Sequence, residues 1–212
     1  MSMEVLSYGR DWLAINKPSG ISVHNDKDHD VISAIKKQYG EMFQPVHRLD
    51  KGTSGVLLIA RGKTLSVLQK DWREVSKRYW AIVRGQPKSV QGTWQFSLRD
   101  RAEGRKNPRG VARYRVSAST HYTCLSYNQH ISLLNVILDT GRQHQIRRHC
   151  VLAGHEILGD TRYGDPRYQK KIAMWYKGMG LLLHAHTLIF SIQDQRIEVH
   201  APRPRSWDSI NL

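Results

Sequence analysis

The chain has 212 residues, 40% of them hydrophobic, and 33 Lys and Arg against 18 Asp and Glu give it a formal net charge of +15. That length supports one substantial core, and that charge points to a polyanionic partner, nucleic acid first. A membrane span is excluded, because no apolar run reaches the roughly 18 residues that cross a bilayer. Val5-Leu6 and Trp12-Leu13-Ala14-Ile15 read as strands, and Asn16-Lys17-Pro18-Ser19-Gly20 as a turn that its Pro and Gly keep from being helical. Asp30 is placed to cap a helix with Ile32, Ile35 and Tyr39 on one face. His47-Arg48-Leu49-Asp50 continues through Lys51-Gly52-Thr53-Ser54-Gly55 as a loop. It is followed by Val56-Leu57-Leu58-Ile59-Ala60, an apolar run of strand length bounded by turn signals. Residues 63–72 return to a helical period through Leu65, Leu68 and Trp72, and residues 77–83 form a strand with a basic start.

Between residues 99 and 115 the composition shifts to Arg, Lys, Gly, Asn and Pro, which predicts a loop. It is either a solvated excursion or a grip on RNA backbone through Arg105, Lys106 and Arg109. Residues 112–118, 122–127 and 131–138 are predicted as consecutive antiparallel strands. Asp139-Thr140-Gly141 then turns the chain into a helix that buries Ile146, Cys150 and Ala153, with Gly141 permitting the tight turn. Strands over 181–190 and 197–201 precede a basic tail, Pro202-Arg203-Pro204-Arg205. No internal repeat or linker is evident. The class is α+β, one catalytic-sized domain over residues 1–212, with strands outnumbering helices.

Two stretches carry chemistry. In the first, Asp50 lies between Arg48 and Lys51 at the foot of a buried strand, a carboxylate on a rigid base with cations that keep it ionised. By itself it is a nucleophile or a turn cap. In the second, Gly141-Arg142-Gln143-His144-Gln145-Ile146-Arg147-Arg148-His149 gathers donors at a helix amino end, where anions are favoured. Arg147 flanks the buried stripe and therefore needs an acidic partner. Tyr79, on the strand after Arg78, is a packing residue unless something else gives it a role. The histidine pairs His144/His149 and His184/His186 lack acidic or thiolate companions at ligand spacing, so no metal site is expected. Cys124 and Cys150 read as free thiols of a reducing compartment, and the amino end, Met1-Ser2-Met3-Glu4-Val5, lacks the segments of a secretory leader. A cytoplasmic location follows.

Taken together and in order, Asn16–Gly20, His47–Asp50 with Thr53-Ser54-Gly55, Lys77-Arg78-Tyr79-Trp80-Ala81 and Gly141–Arg147 resemble the successive motifs of the RluA family of RNA pseudouridine synthases. Ile157-Leu158-Gly159-Asp160 and Leu182-Leu183-His184-Ala185 resemble further signatures of that family. The resemblance spans nearly the whole chain. It implies a mixed, largely antiparallel sheet in two subdomains flanking an RNA-binding cleft, and isomerisation of uridine to pseudouridine without cofactor or metal. It implies that Asp50 is the catalytic aspartate, that Arg147 pairs with it, and that Tyr79 packs against the target base. Arg48 is implied to fill the place of the flipped uridine, with Leu49 and Ile146 shaping the pocket. His47 and Arg142 join the RNA-contacting set from the same two motifs.

No amino-terminal S4-type RNA-binding domain is expected ahead of residue 16, so the core and its basic loops must choose the RNA. The runs Arg147-Arg148-His149, Lys77-Arg78-Tyr79 and Val83-Arg84-Gly85 resemble the branch of the family that acts on tRNA, and rRNA is the other substrate class. No protein partner is evident, and a monomer is expected. The competing readings are a catalytically inactive RNA-binding or RNA-folding protein and a metal-dependent nuclease.

Overall fold

The computed structural model describes residues 3–24, 26, 29–100, 107–109 and 114–212. Its strands are β1 (Glu4–Gly9), β2 (Trp12–Lys17), β3 (Gln44–Pro45), β4 (Ser54–Ala60), β5 (Ser76–Arg84), β6 (Gln91–Trp94), β7 (Thr120–Tyr127), β8 (Ile131–Leu138), β9 (Leu183–Ile192) and β10 (Gln195–His200). Its helices are α1 (Val31–Tyr39), α2 (Gly62–Lys70), α3 (Gln145–Leu152) and α4 (Pro166–Trp175), with a 3-10 turn at Arg205–Trp207. The fold is α+β. The chain divides into one unit of residues 1–77 and 184–203 and a second of residues 78–183 and 204–212.

In the first unit β4 is buried along its whole length. It pairs antiparallel with β2, which pairs antiparallel with β1. Its start pairs parallel with β9, through Ser54↔His184 and Gly55↔Ala185, and β9 pairs antiparallel with β10. The unit's sheet is therefore mixed. Gly55 is obligatory at that junction: its φ is +109°, and a Cβ there would sit 2.2 Å from the Ala185 carbonyl oxygen. Ala14, Val56, Leu58, Leu68, Leu188, Phe190 and Val199 form one apolar cluster, with Leu65 and Trp72 packed against it. The apolar period read over residues 63–72 is thus the buried face of α2. Asp30 caps α1 by accepting from Ser33 N at 2.8 Å. The buried face of α1 is Val31 and Ile35, with Ile32 and Tyr39 only half-buried.

In the second unit β5, β8, β7 and β6 pair antiparallel in that order. Four sequence expectations are corrected. Asn16 and Lys17 belong to β2, so the turn begins only at Pro18. Of the strand expected over 112–118, residues 112 and 113 lie outside the described residues and 114–118 form none, with Val116 making a single bridge to Leu98. The left-handed residue at the entry to α3 is His144, with φ 54° and ψ 29°, and not Gly141. On α3 itself Arg148 and His149 are buried beside Ile146 and Cys150, while Ala153 is half-buried at its end. The sequence pattern also passed over β6 and α4.

Candidate active site

In the first unit, Asp50 opens a tight turn closed by Thr53 N donating to the Asp50 carbonyl at 3.0 Å. Behind that turn lies Lys17, fully buried at the end of β2. Its ammonium donates to the carbonyls of Pro18 (2.8 Å), Ile21 (2.7 Å) and Lys51 (3.3 Å). Gly20 N also donates to the Lys51 carbonyl, at 2.8 Å, and Ser19 Oγ to the Gly52 carbonyl, at 2.7 Å. The turn after β2 and the Asp50 turn are thereby fastened to each other, 34 residues apart in sequence at Lys17 and Lys51. Burial lowers the Lys17 pKa to about 8, and the negative charge of Asp50 opposes that fall. Asp50 itself is half-buried.

The residues before Asp50 divide in role. Arg48 is exposed, with Nη1 3.4 Å from His24 Nε2. Leu49 is buried. The His47 ring accepts from Leu58 N through Nε2 at 3.1 Å and stacks on Trp72 with ring centroids 4.3 Å apart. Val46 N donates to the Leu58 carbonyl at 2.9 Å, so His47 extends the short β3 pairing with a side chain where the backbone leaves β4. Burial, with the nearby Lys77 ammonium, lowers the His47 pKa to about 3, and the ring is neutral at pH 7. Ser54 Oγ lies 2.9 Å from His184 Nδ1 where β4 meets β9, and burial likewise lowers His184 to about 4.

In the second unit Tyr79 is buried on β5 opposite Val136 of β8. Arg147 stands in the first turns of α3 beside buried Ile146. Its Nε and Nη2 donate to Asp160 Oδ2 and Oδ1 at 2.9 and 2.8 Å, a two-pronged pair with side chains only 12% and 0% exposed. Asp160 Oδ1 also accepts from Arg162 N (3.0 Å) and Tyr163 N (3.1 Å). The acidic partner that Arg147 needs within its own unit is therefore Asp160. The sequence flagged the segment 157–160 as a signature without assigning it that task. Tyr163 lies beneath the Arg147 guanidinium, 5.2 Å from ring centroid to Cζ, and its hydroxyl is 2.9 Å from His144 Nδ1.

The entry to α3 is fixed by buried Gln145. Its Oε1 accepts from Thr140 Oγ1 (2.7 Å) and Arg142 N (3.1 Å), and its Nε2 donates to the Ser119 carbonyl and Thr120 Oγ1, both at 2.9 Å. Arg142 pairs with Asp100 at 2.9 Å on the surface. Arg148 is fully buried, donating from Nε to the Pro108 carbonyl and from Nη1 to the carbonyls of Arg99 (2.8 Å) and Gln143 (3.2 Å). The two arginines after Ile146 thus differ: one is held at Asp160, the other ties the described ends of the basic loop to α3. Arg109 is exposed in that loop, and its carbonyl accepts from Arg99 N at 3.3 Å. Arg105 and Lys106 lie outside the described residues.

Residues 11–151 match the RNA pseudouridylate synthase family. The tRNA pseudouridine synthase C of Pasteurella multocida is 34% identical, over 100% of this chain and 96% of its own length. The ribosomal large subunit pseudouridine synthase C of Haemophilus ducreyi is 34% identical, over 84% of this chain and 58% of its own. Among solved structures, human RNA pseudouridylate synthase domain containing 4 superposes with a TM-score of 0.79 at 25% identity, covering 97% of this chain and 92% of that one. Human RNA pseudouridylate synthase domain containing 1 gives a TM-score of 0.82 at 24% identity, covering 96% and 84%, and shows the same fold.

Proposed function

Since the chain belongs to the RNA pseudouridylate synthase family, in its RluA branch, and isomerises uridine to pseudouridine within RNA, we propose that its substrate is a transfer RNA and that Asp50 carries the reaction. The fastening of the Asp50 turn carries the second part of this reading. A carboxylate mounted on a turn whose following carbonyls are held by Lys17, Gly20 and Ser19 is preorganised, and it pays little to stay in position. The charge of Asp50 acts on the buried ammonium behind it, so the two are electrostatically coupled. The near-full-length likeness to enzymes named for tRNA supports the first part.

The reaction balances without an added group. The N1–C1′ bond of uridine breaks, the uracil turns, C5 bonds to C1′, the C5 proton leaves to water, and N1 takes a proton from water, so the product is an isomer of the substrate. Asp50 acts at the ribose–base junction as the nucleophilic or proton-accepting carboxylate. Taking the uridine from its stack costs a few kcal/mol, and the planar, exposed Arg48 offsets part of that by entering the gap. Tyr79 supplies an aromatic face to the uracil, worth about 1–3 kcal/mol per base. Arg147, oriented by Asp160, serves the same reaction as its fixed cation. His47, Leu49, Ile146, Arg142 and the loop residues Arg105, Lys106 and Arg109 contribute RNA contacts. The protein works as a single catalytic domain and a monomer in the cytoplasm, where tRNA is matured.

Asp50→Asn tests the assignment. Tritium release from 5-tritiated uridine in tRNA transcripts is expected to fall by at least about a thousandfold, with RNA affinity within a few-fold of wild type. Near-normal release by this variant removes Asp50 from the reaction. Mapping pseudouridine in tRNA and rRNA from cells with and without the gene tests the substrate: loss confined to rRNA overturns the tRNA reading.

A further inference from the structure

α4 carries a set of exposed side chains that the chemistry at Asp50 and Arg147 does not use. Its inward side is thin, with Gln169 and Ile172 buried. Arg167, Lys170, Lys171 and Met174 follow at i, i+3, i+4 and i+7 and are all exposed, so they make one outward stripe. Trp175 ends the helix 65% exposed, as is Met174, and exposed Lys177 follows. From Pro166 to Gly178 the chain contains no acidic residue. An exposed tryptophan in a segment with four exposed cations offers an aromatic face together with charges suited to phosphates.

The helix is also held in register with Arg147. Gln169 Oε1 accepts from Gly159 N at 2.7 Å, and its Nε2 donates to Glu156 Oε2 and the Ile157 carbonyl, both at 3.1 Å. Glu156 Oε2 accepts from Asp165 N at the start of the helix. Arg84 joins Glu156 at 3.0 Å and covers the Tyr168 ring at 4.2 Å. α4 therefore hangs on residues 156–160, the segment whose Asp160 grips Arg147.

We propose that the outward face of α4 is an RNA-docking surface, with Arg167, Lys170, Lys171 and Lys177 on backbone phosphates and Trp175 stacked on an unpaired base. It holds the body of the structured RNA whose uridine is modified. Polyanion and base together satisfy the whole face, since phosphates meet the cations and a base ring covers the indole. An acidic protein surface would leave the indole without a stacking partner. A lipid surface needs a wide apolar face, and the inward side of this helix is already spent on its own unit. The proposal rests on the reading that a structured RNA is the substrate, and it adds where that RNA is held.

The test compares wild type with Arg167→Ala/Lys170→Ala/Lys171→Ala, Trp175→Ala and Trp175→Phe. Unmodified tRNA transcripts and a ribosomal RNA transcript are titrated across a salt series, and tritium release is followed in parallel. Each variant is expected to melt with the wild type, because every altered side chain is exposed. The triple variant is expected to raise Kd at least about tenfold at about 0.15 M salt and to flatten the log Kd against log salt slope by about 2 to 3. Trp175→Ala is expected to weaken binding about fivefold and Trp175→Phe to recover most of it. The losses fall on Kd and KM and leave the rate at saturating RNA in place. A triple variant with Kd within twofold of wild type and an unchanged slope overturns the proposal. So does binding to phosphatidylglycerol vesicles at the same salt that Trp175→Ala abolishes while RNA affinity stays. If wild type modifies the ribosomal transcript and not tRNA, the tRNA reading fails, while the docking comparison still stands on the RNA that is modified.

Discussion

Behind the Asp50 turn lies a lysine whose ammonium ends on carbonyl oxygens, whereas beside Arg147 lies an aspartate that grips the guanidinium itself. Both are buried charges that hold a candidate catalytic group, but they do it in opposite ways. Carbonyls orient Lys17 without cancelling its charge, so the field of that cation still reaches Asp50. Asp160 instead holds the Arg147 guanidinium directly on two nitrogens, which fixes its orientation. The first arrangement can be titrated near pH 8.

Asp160→Asn breaks the comparison most heavily on the side of stability. It leaves the guanidinium of Arg147 half-compensated in a site only 12% exposed, and the expected loss is about 3–5 kcal/mol. Chemical denaturation should show it as a lowered midpoint, and thermal melting as a fall on the order of 10 °C. Lys17→Met is the mirror case. It removes the tethers to Ile21 and Lys51, and tritium release is expected to fall about a hundredfold. Stability should move by less than about 2 kcal/mol, because relief from burying an ammonium offsets the lost carbonyl partners. If Lys17→Met instead costs as much stability as Asp160→Asn, the two devices are alike and the contrast fails.

Alkaline pH sharpens the same contrast without a mutation. The Lys17 pKa is lowered from 10.5 to about 8 in the folded chain. Between those values the unfolded chain holds the extra proton, so this residue makes stability rise with pH from about 8 toward 10.5. Activity should go the other way over the same range, as the Asp50 turn loses its cation, and the Lys17→Met variant should show a flat profile. The smallest effect lies on the acid side. His47 and His184, both in the first unit, fall from 6.5 to about 3 and about 4 through burial. The unfolded chain is protonated first, so denaturant midpoints should decline as pH drops below about 6.5. His184→Gln should reduce that decline, with activity at pH 7 as the control.

How much of this was legible in the sequence depends on the range over which each signal acts. The Asp50 loop and the α3 arginines are local, and a short stretch of residue types sufficed to single them out. Asp160 was visible as part of a signature, yet its grip on Arg147 was not, because side-chain pairing across a turn leaves no periodic trace. The Lys17 tie was invisible for a different reason: its acceptors are backbone carbonyls, which every residue carries. β6 was passed over as four residues containing a glycine, and α4 because only Gln169 and Ile172 are buried along it. Of the strand expected over 112–118, the described residues 114–118 keep only the bridge from Val116 to Leu98. The tight turn into α3, credited to Gly141 in the sequence, has its positive φ at His144.

Ser54 and His184 are 130 residues apart, and residues 184–203 return to complete the unit that begins the chain. During synthesis the strand that carries the Asp50 turn therefore leaves the ribosome long before β9 exists to cover it. Until then Gly55 has no Ala185 to meet, and the buried residues of β4 are a waiting edge. The second unit has β6, β7 and β8 by residue 138, but it receives residues 204–212 only after β9 and β10 are made. A nascent chain stalled before residue 184 would thus display the Asp50 turn without the strand that pairs with the start of β4.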